Sequence, residues 1–272
     1  MDIQKFLSEN LLLGRALIDL QSSNKGSNPL WTGFVSTNKG EIPAYIKQCR
    51  NSEGLCIEII SSLLGLKFGI PIPKPIIVLV EPGHPQIPVG SPTFLFGSQM
   101  YEMPSFERFL VDSDLTEDCI LEYPKLSSIV AFDELIANPD RNNSNILYDG
   151  ENYRFIDHEQ AFHPKQNPHA PIDELNKIAN ISDIIQYHNG KNDIYIYNLM
   201  KKIKKIIQDD LNVTSSDAVL HSIKEVSMLN EYNVLIERVS NFLRARHNIL
   251  AVLVENAITN PPESAQLDLL GG

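Results

Sequence analysis

The chain has no run of the about 18 unbroken apolar residues that a helix needs to cross a bilayer. Its nearest approach, Leu11 to Leu20, is broken by Gly14, Arg15 and Asp19 and suits a helix or strand packed on a domain. The opening decapeptide Met1–Asn10 carries acids early and has no small-residue cleavage site, so it does not read as a signal peptide. Cysteine is scarce. Cys49, Cys56 and Cys119 form no CxxC pair, and an odd number is a poor disulfide framework. Three buried thiols in a reducing cytoplasm are expected. Positive charge is also in short supply: a net charge of −11 argues against a protein that coats nucleic acid through its phosphates. The one basic run, Lys201-Lys-Ile-Lys-Lys205, is interrupted by Ile203 and followed by Ile206 and Ile207 at helical spacing. It reads as the solvated face of a helix. Internal repeats, low-complexity blocks and a Gly-x-Gly-x-x-Gly loop are all lacking.

What is present has three textures. From Ser22 to about Pro104 the chain is rich in Gly, Pro and short β-prone runs, with strands expected at Ile42–Lys47, Ile76–Val80 and Thr93–Phe96. One helix is expected between the first two, over Leu55–Leu64, with Gly65 closing it. Pro71, Pro73 and Pro75 then force an extended connection. The middle zone holds a helix at Ser127–Asn138 and a polar loop, Pro139–Asn145. A hairpin follows, Ile146–Tyr148 and Tyr153–Ile156 around Asp149-Gly150. From Ile172 to about Ala257 the pattern is amphipathic helix, ending with Val239–Val254, and Thr259–Gly272 reads as a disordered tail. A β-rich part with one helix, followed by a mostly helical part, is an α+β order. It is the order that a bilobal protein-kinase-like fold would give.

The polar loop is where chemistry concentrates. Asp140 and Asn145 stand in the D-x-x-x-x-N spacing of a protein-kinase catalytic loop. Asp157 follows the apolar pair Phe155-Ile156, and the hairpin is expected to return it close to Asn145. Phosphoryl transfer from ATP needs a group oriented toward the attacking hydroxyl, oxygen ligands for Mg²⁺ and a cation on the phosphates. Two aspartates and an amide on adjacent rigid turns meet the first two needs. The alternative is an ordinary surface loop, since Asp, Arg and Asn are common turn residues.

The segments Phe132-Asp-Glu-Leu-Ile-Ala-Asn-Pro-Asp-Arg-Asn-Asn-Ser-Asn-Ile-Leu147 and Phe155-Ile-Asp-His-Glu-Gln-Ala-Phe162 resemble the HipA-like kinases. The phosphoinositide lipid kinases share a distant form of the same arrangement. The resemblance implies Asp140 as the catalytic base that orients the acceptor hydroxyl, with Arg141 supporting the loop or pairing with the activation region. It implies Asn145 and Asp157 as the Mg²⁺ ligands. Lys47, at the end of the strand Ala44-Tyr-Ile-Lys, is similar in form to the kinase lysine that contacts the ATP phosphates. Glu58, on the helix before Gly69-Ile-Pro-Ile-Pro73, is its expected partner, with Glu53 as the fallback. Gly26-Ser27-Asn28-Pro29 fits the family's Gly-Ser-x-Pro run, which makes Ser27 a candidate phosphate contact. The adenine hinge is expected near Gln99, Tyr101 and Met103. The last helix resembles the family's closing Phe-Leu-x-x-Arg element.

Residues 1–100 would then be an N-lobe on the phosphate side, and 101–258 a C-lobe with the catalytic loop and metal site. The chain departs from the general kinase pattern in having Asn142 two residues after the base and His158, His163 and His169 without a D-F-G. These histidines lack zinc spacing and are expected to play no metal role. The implied activity is an ATP- and Mg²⁺-dependent kinase acting on a Ser or Thr of a protein. The family precedent is toxin–antitoxin or regulatory kinases, with an inhibitory partner possible. Two alternatives stay open: a non-catalytic nucleotide-binding regulator, and an enzyme that phosphorylates a lipid or small molecule or transfers a nucleotidyl group. The acidic surface and the absence of an amphipathic basic helix disfavour a membrane-bound substrate.

Overall fold

The computed structural model describes residues 2–23, 28–172, 177 and 180–259. The chain forms two compact units. The first comprises residues 1–103, 154–159 and 218–236; the second comprises 104–153, 160–217 and 237–272.

In the first unit the order is α1 (Ile3–Asn10), β1 (Leu12–Ala16), β2 (Gln21–Ser23), β3 (Leu30–Thr37), β4 (Gly40–Lys47), α2 (Gly54–Lys67), β5 (Pro75–Val80) and β6 (Thr93–Gln99). The strands run β1-β5-β6-β4-β3-β2, and β1 also pairs with β3, so five of them close into a barrel. Among the described strand pairs only β1–β5 is parallel. Closure requires close approach at Gly14, which pairs with Thr37; a Cβ there would lie 2.4 Å from Val35 Cγ1. The barrel is filled by Leu12, Trp31, Val35, Ala44, Ile46, Ile76, Val78 and Leu95, among others. Because strand side chains alternate between faces, Ala44 and Ile46 of β4 enter this core and Lys47 points the other way. That face is covered by α2, which packs on β5 and β6 and is buried from Gly54 to Gly65.

The expected strands of this region are present, with β4, β5 and β6 each longer than read. Two expectations need correction. The region contains α1 as well as α2; Ile3, Phe6 and Leu7 stand at helical spacing behind an Asp2 cap, a signal too short to stand out beside the longer runs. Gly65 does not close α2; the helix runs on to Lys67, and Gly69, at φ 73°, takes the left-handed position after it.

The second unit contains α3 (Phe106–Ser113), α4 (Leu126–Ile136), β7 (Ile146–Tyr148), the start of β8 (Tyr153–Phe155), α5 (Ile181–Asn189) and α6 (Asp193–Asp209). α7 (Val213–Lys224) and α8 (Asn233–His247) each divide between the units, and α9 (Leu250–Thr259) completes the second. α4 is buried on nearly every side and packs against α6 and α9. On α6 the lysines of the basic run are exposed while Ile203 and Ile207 are buried, so the run is the solvated face read from sequence. The last expected helix is two helices, α8 and α9. Apolar periodicity carries through Val239–Val254, but the chain turns at Ile249, whose N–H donates to Arg246 O. Arg246 itself is fully buried and fixed to Glu134 of α4, a tertiary constraint with no local sequence signal. The expected tail from Thr259 lies outside the described residues apart from Thr259, which ends α9. Of the thiols, only Cys56 is buried; Cys49 and Cys119 are half-buried, and all three are free. Among the described residues, no helix is long and apolar enough to cross a membrane.

Candidate active site

In the first unit the site is built around one ammonium. Lys47, the last residue of β4, is brought against Glu58 of α2, and their ion pair is buried, with side chains 10% and 1% exposed. Glu53, the fallback, is not its partner. The segment Arg154–Glu159 adds two more carboxylates: Asp157 Oδ1 lies 3.0 Å and Glu159 Oε2 3.2 Å from Lys47 Nζ. Glu58 also accepts the backbone N–H of His158 at 3.0 Å, and the His158 imidazole lies 3.6 Å from the same oxygen. His158 is therefore a buried part of this cluster and not a loose loop histidine. Burial alone disfavours charge on both Lys47 and Glu58. Their mutual attraction wins: the Lys47 pKa is raised with help from Asp157, and that of Glu58 is lowered to about 2 with help from His158.

Glu159 was not singled out from sequence. It accepts the Arg50 N–H and the Asn28 side-chain amide, each at 2.6 Å. Gly54 starts α2 against it: a Cβ there would meet Cys49 Cβ at 2.5 Å and Glu159 Oε1 at 3.1 Å. The available signal was an acid two residues after Asp157 in the Ile-Asp-His-Glu box. Asp157 itself sits at φ 58°. A non-glycine residue in the left-handed region costs about 1 kcal/mol or more and recurs at functional positions. Its side chain remains 39% exposed.

Gln99 ends β6 and Tyr101 and Met103 follow it in this unit, all half-buried. Tyr101 carries the Arg154 guanidinium 3.9 Å above its ring. Gly26 and Ser27 of the expected phosphate run lie outside the described residues.

In the second unit α4 ends where Ala137 turns left-handed at φ 50°, and the polar loop begins. Asp140 Oδ2 accepts from Gln160 Nε2 at 3.0 Å and Oδ1 from the Asn142 side-chain amide. Asn142 also caps the short turn Asn143–Asn145 by accepting the Ser144 N–H at 2.8 Å. Asn145 Nδ2 donates to Asp140 O at 2.8 Å, which fixes the two ends of the D-x-x-x-x-N spacing to each other.

Arg141 is buried and cannot meet a substrate directly. It forms a two-pronged pair with Asp133, at 3.0 and 3.1 Å, and donates to Asn145 O at 3.0 Å. Its own N–H donates to Asn180 Oδ1 at 2.8 Å, and Asn180 Nδ2 donates to Asn138 O at 2.9 Å. Arg141 is thus the internal brace of the loop, with Asp133, Gln160 and Asn180 as supports that the sequence reading did not name.

Magnesium takes hard oxygen ligands and keeps several waters, so it needs few from the protein. Asp157 Oδ2 and the Asn145 amide oxygen have no hydrogen bond to any described residue, and both are hard donors. In the first unit a single ammonium faces three carboxylates, a surplus of negative charge that suits a divalent cation. Among the described residues no group of three or more His, Cys, Asp or Glu is arranged to hold a metal by itself. Each unit thus carries a hard oxygen donor of the kind used by a cation that takes the rest of its ligands from phosphates and water.

The chain is similar in structure to the Helicobacter pylori proinflammatory kinase CtkA, at 13% identity and a TM-score of 0.51, over 88% of this chain and 96% of that one. At that identity the likeness speaks for the fold alone. No curated protein matches the chain. The family model for HipA-like kinases matches residues 40–209, a span that runs from β4 through α6 and contains Lys47, Glu58, Asp140, Asn145 and Asp157. More than half of the sequence lies within it, and the chain belongs to the HipA-like kinase family, a family of phosphotransferases.

Proposed function

We propose that the protein is an ATP- and Mg²⁺-dependent kinase that phosphorylates a Ser or Thr hydroxyl of another protein. The observation that carries the reading is the buried Lys47–Glu58 pair with Asp157 on the same ammonium, on strained backbone and partly open to solvent. A lysine so fixed keeps its charge and its direction, as a phosphate contact requires. The finer fold goes with the proposal: a bilobal kinase-like arrangement, with an N-lobe over 1–100 and a C-lobe over 101–258.

ATP supplies the phosphoryl group and Mg²⁺ neutralises its charge. Lys47 binds phosphate oxygens, held in place by Glu58. By the pattern of the HipA-like kinases, Asp157 and Asn145 would be the residues that supply the metal's protein oxygens. Asp140 orients the acceptor hydroxyl and accepts its proton, with Gln160 and Asn142 fixing the carboxylate. Arg141 is a positioning residue that acts through Asn145 and the loop backbone. Gln99, Tyr101 and Met103 are assigned to the adenine edge.

The test is transfer of label from γ-labelled ATP with Mg²⁺ to the protein itself or to a partner in a cell extract. Asp140→Ala and Asp157→Ala are each expected to lower transfer by at least a thousandfold while the variants stay folded. Undiminished transfer in Asp140→Ala overturns the base assignment. A rise in melting temperature with ATP but no transfer replaces the kinase with a nucleotide-binding regulator. Label moving from α-labelled ATP points to nucleotidyl transfer. Mass spectrometry of cell protein, wild type against Asp157→Ala, identifies the acceptor.

A further inference from the structure

A cavity of about 110 Å³ opens beside Asp140, and every residue lining it belongs to the second unit. Its apolar side is Ala137, Pro139 and Ile172, all buried; its polar side includes Gln160, His163 and Lys165. Gln160 links the cavity to the catalytic loop, because the same side chain donates to Asp140 Oδ2 at 3.0 Å. A ligand here lies one residue from the carboxylate assigned to the acceptor hydroxyl.

The lining is unusual for this chain. The protein carries a net charge of −11, yet among the described residues no Asp or Glu lines the cavity. Lys165 makes no ion pair among the described residues, and its backbone N–H donates to His163 Nδ1 at 3.3 Å, so the two side chains share one turn. Gln166 closes that turn by donating to the carbonyls of Asn167 and Pro171, at 3.0 and 2.9 Å. The volume exceeds the about 10–15 Å³ that one water needs and has room for a side chain of a few heavy atoms. Cationic and amide donors together with apolar lining match a methylene-linked carboxylate.

We propose that this cavity is an acceptor subsite for an acidic side chain, Asp or Glu, close in sequence to the hydroxyl that Asp140 orients. The inference rests on the kinase reading and names the substrate class of that same site. Lys165 supplies the charge, His163 and Gln160 supply donors, and the apolar wall takes the methylene groups. Gln160 then senses the acidic residue on one side and holds Asp140 on the other.

The test uses binding, so it does not depend on catalysis. The full chain, labelled with ¹⁵N at histidine, is titrated with a capped Ser-Asp-containing hexapeptide, its Ser-Asn counterpart and inorganic phosphate. The His163 resonance is assigned with His163→Gln. Saturable movement of that resonance by the Asp peptide is expected, with the Asn peptide at least tenfold weaker. Lys165→Glu is expected to abolish the preference while leaving the melting temperature unchanged, since Lys165 is exposed. Equal binding of the two peptides, no movement of His163, or an unchanged preference in Lys165→Glu overturns the proposal. Phosphate moving His163 as strongly as the Asp peptide makes the cavity a free-anion site and overturns the acceptor role. Label transfer from γ-labelled ATP is measured on the same protein. Transfer without the Asp preference sinks the subsite alone, whereas the Asp preference without transfer sinks the kinase reading and the acceptor role with it, leaving a site for acidic peptides.

Discussion

The lysine cluster of the first unit and the aspartate loop of the second are built by opposite means. The cluster joins residues far apart in sequence, Lys47 with Glu58, Asp157 and Glu159, and it is held by charge around a buried ammonium, with Asp157 at its open edge. The loop joins near neighbours through hydrogen bonds of side-chain amides, with the buried ion pair Arg141–Asp133 beneath it. A cluster of charges concentrates large energies in few contacts, and its electrostatic potential is available to a charged ligand. A mesh of amides spreads small energies over many contacts and fixes direction instead. Under the proposed function the difference would match two separate duties: holding phosphate and metal charge, and aiming a hydroxyl.

The largest expected effect comes from removing the central cation of each region. Lys47→Met leaves Glu58 and Glu159 buried without their partner, and Arg141→Met does the same to Asp133. Breaking a buried pair costs about 3–5 kcal/mol, so urea unfolding should show losses of that order in both. Repair separates the two regions. Lys47→Met with Glu58→Leu is expected to recover stability and leave label transfer absent, because the charge itself is the function. Arg141→Lys keeps a charge but loses the fork that reaches Asp133 and Asn145 O together. It is expected to recover only part of the stability and to lower kcat more than it raises the KM for ATP. A Lys47→Met protein that transfers label normally would end the comparison.

Acid is the second probe. Burial opposes ionisation of Glu58, but Lys47 and His158 hold its pKa down to about 2, below the ordinary 4.5. A carboxylate depressed on folding contributes stability that is complete above its unfolded pKa and is lost as pH falls through the folded one. For Lys47 the shift is upward from 10.5, so its share is complete below that value and lost only above it. The pair therefore contributes a constant amount between pH 4.5 and 10.5 and loses on the order of 2–3 kcal/mol from pH 4.5 to pH 2. Glu58→Gln should flatten that acid limb in pH-dependent unfolding. An unchanged limb would mean that the acid sensitivity lies outside this cluster.

The same contrast governs how much the sequence reveals. Asp140 and Asn145 show themselves because their spacing is local and the turn chemistry belongs to a few residue types. Lys47 and Glu58 are found because a strand end and the next helix face each other across a short link. Glu159 is hidden: it reaches Lys47 from more than a hundred residues away, and its other partners, Asn28 and the Arg50 N–H, carry no pattern. Barrel closure is equally silent, since β1–β3 pairing turns on the lack of a side chain at Gly14 and on the shape of Val35. The break between α8 and α9 depends on Arg246 reaching α4, which periodicity does not register. Local chemistry is legible, while distant chemistry is legible only when it repeats a family's wording.

The smallest expected effect lies in the mesh under the loop. Asn180 caps α5 through a reciprocal box with Asp183, and the same side chain accepts the Arg141 N–H and donates to Asn138 O. Asn180→Ala removes its three side-chain bonds at once and keeps the backbone N–H to Asp183; each bond lost is a neutral one, so the loss should be about 1–2 kcal/mol, well short of the ion pairs. Asn180→Asp separates the roles: a carboxylate still caps the helix and still accepts from Arg141, but it has no donor for the Asn138 carbonyl. It is expected to keep most of the stability while placing a second negative charge near the buried Asp133. If direction is what the mesh supplies, Asn180→Ala lowers kcat several-fold with little change in the KM for ATP, and Asn180→Asp falls between it and the wild type. If instead both variants raise that KM and leave kcat alone, the loop serves nucleotide binding, and the division of duties between the two regions is wrong.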